Sequence, residues 1–186
     1  MSRRSIAVLI LVSLIMAVSS CSSGETEQVV TATTLDTSEY AFYEYLGEFD
    51  YDSSLALLVY EPVEGEDEYG IQWRNVRDFD GIIKSGKTVM LYFYNSIATD
   101  NYGFTAGVED IAQAAWDDMI VVMIDTLERD DLAARYEIQR VPEFVLLKDS
   151  VETARFEGYN YEAWTMSDVA AWVQSNGIKV DYSRLG

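Results

Sequence analysis

The residues able to do chemistry in this chain are few in kind. It has one cysteine, Cys21, and no histidine, against 32 aspartates and glutamates and 13 lysines and arginines, for a formal net charge of −19. Without histidine, the commonest general base and the commonest zinc ligand are missing. With one thiol the chain cannot close a disulfide on itself, so acid–base work falls to carboxylates, tyrosine or lysine. Some acids fall in suggestive spacings. "DYDSSLALLVYE" sets Asp50, Asp52, Ser54 and Glu61 at positions 1, 3, 5 and 12 of a calcium-loop pattern, but position 6, where the turn wants glycine, holds Leu55. "EGEDE" (64–68) and the pair Asp117 and Asp118 are looser cation candidates whose ordinary role is a solvated face. Thr99, Asp100 and Asn101 could form a polar group at a helix start, where such residues ordinarily cap the helix. Among so many acids a carboxylate pair of the glycosidase kind is available by composition alone. No metal site and no cofactor are expected. The acidity argues against nucleic acid as a partner and against docking of the domain surface on anionic lipid, because both need a basic footprint.

The N-terminus reads as a targeting segment. A basic start (Arg3, Arg4) leads into an apolar run from Ile6 to Val18, too short to span a bilayer comfortably, and then into "VSSC". Val18, Ser19, Ser20 and Cys21 resemble, position by position, the lipobox of a bacterial lipoprotein signal. The resemblance implies cleavage before Cys21, which would become the mature N-terminus carrying fatty acyl chains such as palmitate. Two or more chains, at about 0.8 kcal/mol per buried methylene, anchor a protein stably to a bilayer. It also implies an extracytoplasmic, membrane-anchored location and a mature chain without a free thiol. Residues 1–20 are then the signal peptide. Residues 21–38 are small and polar, as expected of a flexible tether.

Beyond the tether the periodicities alternate. Residues 36–52 mix aromatics with acids, with Asp36 and Glu39 as a capping box and Phe42, Tyr45, Leu46 and Phe49 on one helical stripe, so a short helix is expected. "SSLALLVYEP" (53–62) and "IQWRNV" (71–76) read as strands around a charged turn, the first of them within an N-terminal extension covering 39–70. A short helix ending near Gly86 precedes the buried strand "TVMLYFY" (88–94). "FTAGVEDIAQAAW" then places Val108, Ile111, Ala112, Ala115 and Trp116 on one helical face. A strand at 119–125 and a short helix over "ERDDLAARYEI" follow, then a hairpin of 143–149 with 151–158 turning about Ser150, and a last helix capped by Thr165 and ended by Gly177. Trp116, Trp164 and Trp172 read as packing residues. The order β-α-β-α-β-α-β-β-α argues for an α/β domain over 71–180, a mixed central sheet with helices on both faces.

This order, with "DFDGIIKSGKTVMLYFY", "VVMIDT" and "ARYEIQRVPEFVLLKDS", resembles the thioredoxin superfamily over roughly Ile71 to Gly177. Val141-Pro142 falls where that family has a cis-proline, and Gly158 where a glycine follows the last strand. The resemblance implies a Cys-x-x-Cys pair at the start of the long helix, where free backbone N–H groups lower a thiol's pKa. Counted from Phe93, its two positions hold Ala98 and Asn101. The aromatic usual before the pair is Ile97, the proton-shuttling strand carboxylate is Tyr92, and Glu143 follows the proline where a small hydroxyl residue is common. The scaffold is kept and the redox constellation is absent, so disulfide exchange is not expected. The remaining candidate site is a groove between Ile97, Ala98, Thr99, Asp100 and Asn101 on one side and Val141, Pro142 and Glu143 on the other, holding a protein or peptide partner. The alternative is an enzyme of non-thiol carboxylate chemistry or a cation-binding accessory protein.

Overall fold

Strand-forming and helix-forming stretches meet in a mixed sheet with helices on both faces. The computed structural model describes residues 41–63, 65, 68–98, 101–157 and 163–185. The strands are β1 (Leu46–Phe49), β2 (Leu55–Pro62), β3 (Tyr69–Val76), β4 (Thr88–Tyr94), β5 (Met119–Asp125), β6 (Glu143–Lys148) and β7 (Val151–Glu157). The helices are α1 (Phe79–Ile83), α2 (Asn101–Ala114), α3 (Asp130–Arg135) and α4 (Met166–Ser175). None of the described helices is long and apolar enough to cross a membrane.

The two most apolar stretches form the centre. Every residue of β5 and all but Thr88 of β4 are buried, and the two pair in parallel from Thr88↔Met119 to Tyr94↔Asp125 with α2 as the crossover. Continuous burial on both faces is what an all-apolar strand requires. Alternate β4 residues point to opposite faces. Val89, Leu91 and Phe93 meet Ile82, Ile83 and Leu132 from α1 and α3, while Met90 and Tyr92 meet Val108, Ile111, Val169 and Val173 from α2 and α4.

Strand order is β1-β3-β2-β5-β4-β6-β7, and every pairing except β4 with β5 is antiparallel. β2 lies beside the parallel pair, antiparallel to β5 on one side and to β3 on the other. The physical reason is the burial each strand can supply. β2 is apolar at successive positions and buried from Leu55 to Val59, whereas β3 carries Gln72, Arg74 and Asn75 and suits a place nearer the edge.

The helix expected over 36–52 is reduced to a 3-10 turn, Ala41–Tyr45, followed by β1 along the outer side of β3. Asp36 and Glu39 lie outside the described residues. Phe42 is buried edge-on against Trp116 at 5.9 Å, and Tyr45 covers Gly81, where an added Cβ would lie 2.6 Å from its ring. Trp116 thus leaves the stripe expected of it. α2 ends at Ala114, and the turn that follows carries Trp116 to the opposite face of the sheet from Val108 and Ile111.

Other local expectations hold. Thr165 caps α4, its N–H donating to the Asp168 carboxylate at 2.7 Å, and Gly177 follows the helix at φ 84°. The β6–β7 turn is made by two residues, Asp149 and Ser150, both left-handed at φ 49° and 67°, which suits the twist of a tight hairpin.

Candidate functional site

The loop after β4 is held by the side-chain and main-chain carbonyls of Asn95 and by the Asp125 carboxylate. The Ile97 N–H donates to Asn95 Oδ1 at 3.0 Å and the Ala98 N–H to the Asn95 carbonyl at 3.1 Å. Asp125, the last residue of β5 and only 4% exposed, accepts from the N–H groups of both Ser96 and Leu127, at 3.3 and 3.1 Å. It therefore clamps the loop after β4 to the turn after β5. Ile97 stands at the loop's tip, 78% exposed, the most exposed large apolar side chain among the described residues. Ala98 is half-buried and Asn101 is the first residue of α2. Thr99, Asp100 and Cys21 lie outside the described residues, as does Gly158.

On the other side of the loop, the Val141–Pro142 peptide bond is cis. Both residues are half-buried, and the register that pairs Phe93 with Glu143 sets Pro142 alongside the end of β4. Glu143 does not line a groove. It is 1% exposed and ion-paired with Arg155, whose guanidinium also donates to Glu152 at 2.7 and 2.9 Å and to the Tyr136 carbonyl at 2.9 Å. Alternation along β6 turns this side chain toward Tyr136 at the end of α3, away from α2, and a buried carboxylate needs such a partner. Tyr92 is likewise turned into the interior. Its ring is fully buried between Tyr94 and Phe144, with centroids at 5.5 and 4.9 Å, and burial pushes its hydroxyl well above the ordinary tyrosine range.

The acidic spacings of the sequence resolve into structural roles. Asp50 accepts from the Asp52 N–H at 3.0 Å in a turn, while Glu61 is 3% exposed on β2 and paired with Arg74 at 2.6 Å. Glu61 is thus committed to β3, and the calcium-loop pattern does not close. Asp117 pairs with Arg184, and Asp118 accepts from the Lys179 N–H at 2.9 Å. Of "EGEDE", residues 64, 66 and 67 lie outside the described residues.

A concave site missed by sequence reasoning opens on the β2 and β5 side of the same loop. It is a cavity of about 660 Å³ walled by Tyr51, Trp73 and Tyr94 together with Asp52, Asp125 and Glu128. The Trp73 indole N–H donates to Glu109 on α2 at 2.7 Å, and burial raises the pKa of that carboxyl while the indole hydrogen bond opposes the rise. Burial, with the Asp125 charge behind it, pushes the Tyr94 hydroxyl up to about 12. These residues come from the turn after β1, from β3, from the ends of β4 and β5 and from the turn beyond. The only sequence signal was the aromatic–acid mixture of 49–52, together with an acid closing an otherwise apolar strand.

A mixed sheet with a cis-proline beside the loop that enters its long helix defines the class of thioredoxin-like α/β proteins. The thioredoxin family model matches residues 71–171, and the chain belongs to that family. It is 31% identical over 81 residues to thioredoxin Y, chloroplastic, of Oryza sativa subsp. japonica, covering 43% of this chain and 48% of that protein. It is 32% identical over 81 residues to thioredoxin Y2, chloroplastic, of Arabidopsis thaliana, with the same coverage of 43% and 48%. The chain therefore spans about half the length of the curated relatives it matches. Among solved structures it is similar to mitochondrial thioredoxin 3 from Saccharomyces cerevisiae, at 22% identity and a TM-score of 0.45 over 52% of this chain and 86% of the other. β1 and β2 lie upstream of the matched residues, although β2 is an interior strand of the sheet.

Proposed function

We propose that this protein is a membrane-anchored, extracytoplasmic thioredoxin-like lipoprotein that binds a protein or peptide partner and does not exchange disulfides. The observation that carries the reading is the Ile97–Ala98 loop. It keeps its place at the entry to α2, beside cis-Pro142, yet it offers an exposed isoleucine and an alanine where a redox member of the family needs a thiol. The one cysteine sits in the lipobox-like "VSSC", where acylation would consume it. An exposed isoleucine on a loop held by Asp125 suits docking, because burying such a side chain releases about 1.5–3 kcal/mol and the held loop has little entropy left to lose. Glu143 is committed to Arg155, so recognition at the proline falls to apolar contact and backbone hydrogen bonds.

Three measurements test the reading. Mass spectrometry of the mature N-terminus is expected to find acyl chains on Cys21; an unmodified Cys21 would overturn the anchor. In an insulin-reduction assay the purified protein is expected to match buffer. A photoreactive residue at Ile97 is expected to capture a specific partner that the same residue at Val151, on the far hairpin, does not, and Ile97→Asp is expected to weaken that complex about 10- to 100-fold. Equal capture from both positions would sink the groove.

A further inference from the structure

The cavity beside Trp73 lies on the β2 and β5 side of the loop after β4, and its chemistry points to a different ligand from the one proposed for the proline side. Three aromatic side chains, Tyr51, Trp73 and Tyr94, and three carboxylates, Asp52, Asp125 and Glu128, share its wall, with no lysine or arginine among the described lining residues. The aromatic part is built in. Tyr51 and Trp73 lie 5.8 Å apart at 56°, and the Trp73 N–H is spent on Glu109, which leaves the indole ring as the surface available to a ligand. Behind Tyr94, Tyr92 is fully buried and stacks on it with ring centroids 5.5 Å apart. The position of Asp125 is also fixed, since two backbone N–H groups hold one of its oxygens.

We infer that this cavity binds an organic cation, an alkylammonium group whose methyl or methylene surface lies on the rings while its charge is balanced by the carboxylates. Aromatic faces attract a cation through their quadrupole, most strongly where water is displaced. A bare metal ion is the wrong shape. Among the described residues no three acids gather closely enough to hold one, whereas a cation with an apolar skin can bridge carboxylates that are spread apart. The volume, about 660 Å³, falls in the range of small-molecule sites and is larger than an inorganic ion needs. The strongly acidic chain adds a field that draws any cation toward the site.

Two sources supply this chemistry, a free ammonium metabolite or a lysine side chain of another protein, and probes distinguish them. Full-length protein in a neutral maltoside detergent is titrated with choline, with its uncharged isostere 3,3-dimethyl-1-butanol, and with N-acetyl-lysine methylamide and the trimethylated form of the last. Heat of binding and the Trp73 indole N–H resonance are followed. A cationic probe is expected to bind at least about 10-fold more tightly than the neutral isostere, to shift the Trp73 resonance, and to weaken as salt rises. Preference for choline assigns the site to a free metabolite, and preference for either lysine compound assigns it to a protein partner. Tyr51→Ala and Asp52→Asn change exposed turn residues and leave the fold standing, and each is expected to lower affinity about 3- to 10-fold. Equal binding of choline and its isostere, unchanged affinity in both variants, or an unmoved Trp73 resonance with every probe up to about 50 mM would overturn the inference.

Discussion

Two buried carboxylates flank the loop after β4, and the protein stabilises them in different ways. Glu143, on the proline side, is neutralised by the guanidinium of Arg155, which also grips Glu152 and the Tyr136 carbonyl and so ties the hairpin to the end of α3. Asp125, on the β2 side, is held by two backbone N–H groups at the wall of an open cavity that has no lysine or arginine among its described lining residues. An ion pair closes a region electrostatically, because the charge is cancelled within the fold. A carboxylate solvated by amides orders its surroundings while still presenting a field to whatever enters. On the proposed readings, the proline side would offer apolar and backbone contact and the β2 side a cation site.

Breaking the ion pair should have the largest effect. Arg155→Ala leaves Glu143 charged and buried, and is expected to cost about 2–4 kcal/mol in urea denaturation, while the double change Glu143→Leu with Arg155→Leu recovers most of it. A single variant as stable as the parent would mean that the pair does not close this side.

High pH probes the other side next. Tyr94 unfolded loses its proton near 10, whereas the folded protein holds it to about 12, so between those values the folded state binds the extra proton. Its contribution is fully present below about pH 10 and is lost as pH rises toward 12, on the order of 2 kcal/mol. Melting curves between pH 8 and pH 12 should show the fall, and Tyr94→Phe should blunt it. A Tyr94→Phe variant with the parent's alkaline profile would remove Tyr94 from the account.

Asp125→Asn keeps an acceptor but loses its charge, and about 1 kcal/mol of stability should go with it. The more telling readout is local. Amide exchange at Ser96 and Leu127 should quicken while the centre of β5 stays protected. Uniform change across the sheet would argue against a clamp.

The smallest effect is expected at Asp80. Its pair with Arg135, at 2.8 Å, is roughly half exposed on both sides, and the hydrogen bond from Arg135 lowers the Asp80 pKa. Asp80→Ala should change stability by no more than about 0.5 kcal/mol, against which the Arg155 result can be judged.

The legible part of the fold was the part set by local pattern. β4, β5, α2, α4 and the β6–β7 hairpin each announce themselves by a period or an apolar run, and Pro142 by its place before the hairpin. The mistaken parts share a cause. Phe42, Tyr45, Leu46 and Phe49 have a helical spacing, but Leu46 and Phe49 gain more by pairing with Val76 and Arg74 across β3. Trp116 fits the stripe of α2, yet the helix ends two residues before it. In the candidate site, the absence of cysteine from the loop after β4 was plain in the residues, while the commitment of Glu143 was not, because its partner Arg155 lies 12 residues away on another strand.

By itself the sequence determined the chemical inventory, one cysteine and no histidine in an acidic chain, and the alternation of strands and helices, because composition and hydrophobic period are local properties. Only the tertiary structure decided that β2 lies inside the sheet beside β5, that one buried acid is paired and another amide-held, and that three aromatic rings from separate segments face a shared cavity. These depend on which apolar strand buries most surface between two others. That comparison is made across the whole chain and leaves no mark at any single position.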